Sequence, residues 1–288
     1  MKKPGDMLAN LARMISLVLV LPGIVAGFLL ASCGPSPDTQ KTIAYFEQYS
    51  ENNPQTVDHS TWNEILRTYV QPDRDGINRF AYAEITSADR EALRGYLMDN
   101  LAFVPISRYS RAEQLSFWIN LYNALTIQLV IDNYPIRSIE DIDISPGMFS
   151  KGPFAKKLMK VENVALSLDD IRNAILLPIW KDARIHYVLS YAAVDSPNIL
   201  PRAITPTTAD ALLDQAAAAF INHPRGIRIE EDQIVANSLF VWYAKDFGEG
   251  SALIDHLLRY ADFDLAKYLI ETDRIARQHF DWTLNTVD

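Results

Sequence analysis

The sequence predicts an α+β fold: a helix-rich single domain with a central buried helix and small antiparallel β pieces. Three observations predict it. Capping side chains precede several apolar-periodic segments, short β-type segments pair across turn residues, and the segment Arg111–Asn133 is apolar on nearly all sides. The 288 residues are 49% hydrophobic and 22% charged, which excludes collagen-like, disulfide-rich and disordered classes. A formal net charge of −9 argues against a nucleic-acid partner.

The N-terminus has the layout of a lipoprotein signal peptide. Basic residues precede an apolar run over 15–30, which ends in Leu30-Ala31-Ser32-Cys33-Gly34. This ending resembles a lipobox and predicts a signal peptide over 1–32, with lipidation of Cys33, the one cysteine in the chain. An uncleaved transmembrane helix is the alternative, which a proline and two glycines inside the run disfavour.

The rest of the chain divides into a tether and a domain. Residues 33–40 carry the lipidated cysteine and a short tether rich in proline and serine, and 41–288 form a single globular domain. The expected location is the cell envelope, lipid-anchored at the outer membrane and facing the periplasm. Expected partners are the membrane, through the lipid anchor, and an envelope protein or small ligand that the sequence does not identify.

The predicted elements follow in chain order. Helices should begin near four side chains that can cap free backbone N–H groups: Thr61, Ser87, Ser110 and Ser167. Helical periodicity also covers 209–220, 238–245, 253–260 and 265–270. Two hairpins are predicted, 157–160 with 164–167 and 227–229 with 233–235, and a further strand is predicted over 185–192.

The central helix Arg111–Asn133 supplies the first candidate site. One face carries Leu115, Trp118, Tyr122, Leu125 and Leu129 and should pack on the core. The opposite face carries Glu113, Asn120 and Asn123 among apolar residues, so these polar groups need partners. Either the asparagines tie neighbouring loops to the helix or they line a polar pocket. Glu113 also has a structural explanation, as the third residue of a capping box with Ser110.

A second candidate site lies between residues 184 and 197. Strand alternation would place His186 on one face with Val188 and Ser190 and opposite to Tyr187. A turn that contains Asp195 and Ser196 follows this strand. Base, orienting acid and hydroxyl nucleophile are the parts of an acyl-transfer triad. The alternative is a hydrogen-bonded core histidine beside an ordinary turn, because the sequence has no G-x-S-x-G elbow.

No metal or cofactor is expected from local motifs. The five histidines never fall at i, i+4 spacing, and the one cysteine belongs to the lipobox. The sequence therefore predicts neither a local zinc motif nor a bound cofactor.

Several segments resemble the domain of unknown function 547 family. The chain is similar to a bacterial lipoprotein member of that family. The segments are, in order, 111–124 with Phe-Trp-Ile-Asn-Leu-Tyr-Asn-Ala at its centre, Tyr134-Pro135 with Ser138-Ile139, 166–171, Arg184-Ile185-His186 and 281–285. The resemblance covers about 62–285. It implies a fold but no established activity.

The departures from that family indicate a lost site. The resemblance implies cysteine where this chain has Tyr191 and Ser196, and Glu-His where it has Arg172 and Asn173. A thiol or metal-dependent site at those positions would therefore be degenerate here. Two functions remain open: a binding or scaffold domain, and a hydrolase-like enzyme that uses Ser196 and His186.

Overall fold

A computed structural model describes residues 36–147, 151–271 and 275–287. The predicted signal peptide and Cys33 lie outside this part of the chain. The described residues form an α+β domain dominated by helices, with small sheets, as the sequence predicts. None of the described helices is long and apolar enough to cross a bilayer.

The N-terminal elements differ from the predictions mainly at their caps. They are α1 (Pro37–Phe46), α2 (Ser60–Tyr69), the hairpin β1 (Val70–Pro72) and β2 (Asn78–Phe80), and α3 (Ser87–Gly95). Helix α1 begins inside the predicted tether, because Ser36 Oγ accepts a hydrogen bond from Thr39 N and a proline occupies the first turn. Helix α2 starts before Thr61 and has no side-chain cap, and Thr86 rather than Ser87 caps α3.

The central helix α4 (Arg111–Asn133) has the predicted bounds. Ser110 Oγ caps it by accepting a hydrogen bond from Glu113 N. The helix is buried on almost every side, and Leu115 and Leu129, predicted to face the core, are only partly buried. It packs against α3 and the π-helical segment Asp170–Leu176. Burial on both faces explains why polar residues of α4 need internal partners.

The second half of the chain contains the remaining elements. They are β3 (Met159–Val161), β4 (Val164–Leu166), the π-helical segment continuing into α5 (Leu177–Trp180), α6 (Ala209–Ile221), β5 (Ile227–Glu230), β6 (Gln233–Asn237), α7 (Leu239–Trp242), α8 (Ala244–Phe247), α9 (Ser251–Leu258), α10 (Phe263–Ile270) and β7 (Arg277–His279). Both predicted hairpins are confirmed, β3 with β4 and β5 with β6. Strand β7 joins β6 in parallel, which the sequence did not indicate.

The predicted strand over 185–192 is wrong. Residues Ala183–Val188 form a 3₁₀ helix, because Asp182 accepts a hydrogen bond from Arg184 N and turns the chain at its start. After the helix, side chains rather than a partner strand bind the backbone: Asn123 accepts from Ser190 N, and Ser196 accepts from Tyr191 N.

Two groups of buried apolar residues make up the core. One surrounds α4 and the other lies between α6, the β5–β6 hairpin and helices α7 to α9. Phe154 and Trp282 pack against both groups. The seam between the two groups is therefore lined by aromatic rings.

Candidate functional site

His186 is a buried partner of Asp246, not of Ser196. The His186 ring is 0% exposed and lies against Tyr243 and Phe247, with ring centroids 4.4 and 4.9 Å away. Its Nε2 is 3.0 Å from Asp246 Oδ2. Burial lowers the pKa of His186, although Asp246 acts to raise it. The histidine is thus held neutral in an aromatic environment, and Nε2 donates to the carboxylate.

Asp195 and Ser196 also bind other groups. Asp195 Oδ2 accepts a hydrogen bond from Asp281 N at 2.7 Å and lies 2.9 Å from His279 Nδ1. Ser196 Oγ accepts from Tyr191 N at 2.8 Å and donates to the carbonyl of Pro197 at 3.1 Å. Among the described residues, no hydrogen bond joins any two members of the predicted triad. A buried serine without a neighbouring base lacks what nucleophilic attack requires.

The two asparagines of α4 tie loops to the helix. Asn120 donates to the carbonyl of Ile204 and accepts from Ile204 N, at 2.8 and 3.0 Å. Asn123 donates to the carbonyl of Val188 and accepts from Ser190 N, at 2.8 and 2.9 Å. Each amide side chain thereby replaces a missing backbone partner in a buried loop. The geometry matches the structural alternative for these two residues.

Glu113 has a similar role and does not form the predicted capping box. Its Oε1 accepts a hydrogen bond from Val57 N at 2.8 Å rather than turning back to Ser110. Burial raises the pKa of Glu113, and the bond from Val57 N acts in the opposite direction. The carboxyl group fixes the segment before α2 to the start of α4.

A separate pocket of about 340 Å³ lies at the seam of the two core groups. Among the described residues, five aromatic side chains line it: Phe154, Tyr191, Trp242, Tyr243 and Trp282. The Trp242 and Trp282 rings stack, with centroids 5.8 Å apart and planes 22° apart. This volume and this lining are typical of small-molecule sites.

Arg172 is the buried charged group of this aromatic pocket, beside the more exposed Lys151 and Asp169. Its side chain is 8% exposed, and Nη2 donates to Asp169 Oδ1 at 2.6 Å. Nε donates to Asn173 Oδ1 at 3.1 Å. The guanidinium carbon lies 5.0 Å from the Tyr243 ring centroid and 5.5 Å from that of Tyr191. Burial acts to lower the pKa of Arg172, but the surrounding tyrosine hydroxyls and Asp169 outweigh it and the pKa is raised.

Two buried tyrosine hydroxyls lie beside the polar side chains of the pocket. Tyr122 Oη lies near the Arg172 guanidinium and Tyr191 Oη near Tyr243, and neither has a hydrogen bond of ideal geometry among the described residues. Burial raises the pKa of Tyr122 and of Tyr243, so these groups stay neutral. Buried hydroxyls with incomplete hydrogen bonds are uncommon in folded proteins because each one costs free energy. Of the two, Tyr191 lines the pocket, so its side chain is the one that a ligand can contact.

The positions that depart from the resembled family meet at this pocket. Arg172 and Tyr191 line it, and Arg172 is bonded to Asn173. Ser196 Oγ holds the backbone of Tyr191. The four positions that depart from the family are therefore close together in the structure. Sequence reasoning identified these four positions but not the pocket, and it missed Trp242, Tyr243 and His279 altogether, because those residues come from other segments of the chain.

No metal site accompanies the pocket. Within the described ranges, no group of three or more histidine, cysteine or acidic side chains is placed to hold a metal ion. Asp169, the acid at the pocket, is already paired with Arg172.

Comparison with known proteins finds one relationship. No curated protein and no solved structure matches the chain. A family model matches part of the chain. The matched region contains α4, Arg172, Tyr191 and Ser196, and it ends before Trp242, Tyr243 and Trp282. Over residues 106–221, the chain matches the family described as "Protein of unknown function, DUF547".

Proposed function

We propose that this domain binds a small organic molecule in the aromatic pocket and acts as a binding protein rather than a hydrolase. The observation that carries the proposal is the pocket itself: about 340 Å³, five aromatic side chains and the buried guanidinium of Arg172. A folded chain gains stability by filling such a space with its own side chains. An open, well-formed pocket with a few polar groups at its base is the usual form of a ligand site.

The catalytic alternative has no geometric support. An acyl-transfer site needs a nucleophile within hydrogen-bond reach of a base. Ser196 Oγ is engaged by Tyr191 N and the Pro197 carbonyl, and His186 Nε2 is engaged by Asp246. The hydroxyl is therefore used to shape the loop that presents Tyr191.

The binding domain is attached to the bacterial cell envelope by a lipid on Cys33, at the outer membrane and facing the periplasm. The support is the lipobox-like ending of the apolar run. Mass spectrometry of the full chain extracted from bacterial membranes should find a lipidated Cys33 as the first residue. A matched Cys33→Ala variant should lose this modification and its membrane attachment. An N-terminus that begins at Met1 contradicts the lipid anchor.

Ligand binding is tested with three naphthalene derivatives that differ in charge: 2-naphthoate, 2-naphthamide and 2-naphthylmethylamine. Calorimetric titration of the full chain should detect binding of at least one of them. Ala155, which lines the pocket, is replaced by tryptophan to fill it. The matched control is Ala92→Trp on the exposed side of α3.

The filled variant should bind at least tenfold more weakly, and the surface control should bind like the unmodified chain. Melting temperatures measured in parallel show whether both variants fold. If none of the three compounds binds, or if a folded Ala155→Trp protein binds as tightly as the control, the proposed function is wrong.

A further inference from the structure

We infer that the pocket selects a flat apolar molecule carrying a single carboxylate, with the carboxylate on Arg172 and the apolar body between the aromatic side chains. This inference rests on the proposed function and names the ligand class of the same site. It is carried by three features of the pocket: the remaining donors of Arg172, the incompletely bonded hydroxyl of Tyr191 and the balance of charge.

Arg172 has donors to spare. A guanidinium carries five N–H groups; the bonds to Asp169 and Asn173 engage two of them, and the neighbouring Tyr122 hydroxyl engages at most one more. The remaining N–H groups match a carboxylate better than any neutral acceptor. Because Asp169 and Asn173 both bind the guanidinium, its orientation is set before a ligand arrives. Preorganisation of this kind raises affinity by reducing the entropy lost on binding.

Tyr191 supplies a second donor. It lines the pocket and is 2% exposed, and its hydroxyl lies within hydrogen-bond reach of Tyr243 without ideal geometry. If the two phenols pair, one donates to the other and the second hydroxyl is still able to donate to a ligand. A carboxylate has two oxygens and accepts several hydrogen bonds, so one group can bind the guanidinium and a phenol together. A neutral hydrocarbon would offer this hydroxyl no acceptor in a dry site, which is unfavourable.

The charge balance favours one negative charge. Among the described residues of the lining, Lys151 and Arg172 are the cations, and Asp169 is the acid that pairs with Arg172. This described lining thus has one positive charge in excess, in a chain whose formal net charge is −9. A cationic ligand would meet the buried guanidinium, and a doubly charged anion would leave one charge unpaired and desolvated. A monoanion removes the excess without adding another.

The aromatic walls specify the rest of the ligand. Phe154, Trp242 and Trp282 present ring faces and edges rather than hydrogen-bonding groups over most of the pocket. Flat rings gain from offset or edge-on contact with such side chains. The apolar part of the ligand is therefore expected to be planar and largely free of polar substituents.

Calorimetry on the full chain tests the selectivity with the same three compounds. We expect 2-naphthoate to bind at least tenfold more tightly than 2-naphthamide, and 2-naphthylmethylamine to bind most weakly. The Tyr191→Phe variant removes one hydroxyl and keeps the ring. It should weaken naphthoate binding about three- to tenfold and naphthamide binding less, because the carboxylate is the stronger acceptor, and it should melt close to the unmodified chain.

Arg172→Gln should remove the preference for the acid over the amide. Because this change also breaks the ion pair with Asp169, its melting temperature is measured, and Tyr191→Phe decides the question if the variant does not fold. Equal affinities for acid and amide, both lost in Ala155→Trp, would overturn the selectivity and leave the proposed function intact. An acid preference that Tyr191→Phe does not reduce assigns the carboxylate to another cation and also contradicts the inference. Absence of binding by all three compounds overturns both.

Discussion

Asn120 and Asn123 of α4 and the polar residues of the aromatic pocket are all buried, but they differ in how their hydrogen bonds are satisfied. Asn120 and Asn123 each pair a donor and an acceptor with the backbone of a neighbouring loop. At the pocket, the hydroxyl of Tyr191 has no bond of ideal geometry, and Arg172 keeps donors beyond those bound to Asp169 and Asn173. The comparison teaches that an account of donors and acceptors, rather than burial, separates a structural polar cluster from a ligand site.

The apolar residues give the same contrast in packing. Around α4, Trp118 is 0% exposed and sits against Phe46 and Phe117, with ring centroids 4.8 and 4.9 Å away. At the pocket, Trp242 is stacked on Trp282 but remains exposed to solvent. The aromatic rings around α4 fill the core, whereas those at the pocket surround an open cavity. Substitutions in the two regions should therefore change different measurements.

The largest effect is expected in the closed region. Trp118→Ala should lower the free energy of unfolding by about 3–5 kcal/mol, because a large cavity replaces a fully buried ring. Denaturant unfolding of the variant and the unmodified chain measures the difference. A loss below about 1 kcal/mol would mean that the α4 region is not close-packed, which would remove the contrast with the pocket.

Acid should destabilise the fold through two buried histidines. Burial lowers the pKa of His59 and of His256 to about 4, against an ordinary value of 6.5. As the pH falls below 6.5, the unfolded chain binds these protons first, so stability is lost down to about pH 4. Between pH 7 and pH 4.5 the loss should be about 2–3 kcal/mol for each histidine. Unfolding titrations at both values measure it.

The acid effect is assigned with His59→Gln and His256→Gln, each of which should remove its share of the pH dependence. Asp75, whose pKa is lowered to about 2 chiefly by the hydrogen bond from Arg79, titrates below this window. An unchanged pH dependence in both variants would show that the histidines of the closed core are not held neutral.

Loss of a loop-binding asparagine should have an intermediate effect. Asn123→Ala leaves the Val188 carbonyl and Ser190 N without their partner and should cost about 1–3 kcal/mol of stability. Naphthoate affinity should stay the same, because Asn123 belongs to the α4 region. If affinity falls while the melting temperature holds, the two regions are one site and the comparison fails.

Ser196→Ala should cost about 1–2 kcal/mol, because Tyr191 N loses its acceptor in a buried loop. A fluorophosphonate probe should not label Ser196 in the unmodified chain, since no base lies within hydrogen-bond reach. Intact-mass measurement after incubation with the probe checks this. Stoichiometric labelling that disappears in both Ser196→Ala and His186→Ala would restore the hydrolase alternative.

The smallest change in stability is expected at the pocket. Tyr191→Phe removes a hydroxyl that has no hydrogen bond of ideal geometry, so the free energy of unfolding should change by less than about 1 kcal/mol. Denaturant unfolding measures this against Asn123→Ala. A loss of more than about 1 kcal/mol would reveal a structural partner for the hydroxyl, and the pocket would then resemble the α4 region.

Local signals in the sequence were sufficient for much of the fold. The cap at Ser110 and apolar residues around the whole helix predicted α4 with its observed bounds, and turn residues predicted the β3–β4 and β5–β6 hairpins. These features depend on residues a few positions apart, where propensity, capping and turn chemistry act. The burial of Asn120 and Asn123 was also predictable, because apolar residues surround them in the helix.

Tertiary structure alone decided which side chains meet. His186 pairs with Asp246 and Asp195 with His279, across 60 and 84 positions of chain, and the pocket gathers Phe154, Arg172 and Trp282 from separate elements. The segment 185–192 is apolar enough to be read as a strand, but residues Ala183–Val188 form a 3₁₀ helix, and the side chains of Asn123 and Ser196 bind the backbone that follows it. Sequence periodicity predicts which way a residue faces within its own element. It does not predict which residues from other parts of the chain contact that face, because those contacts are set by packing over long sequence separations.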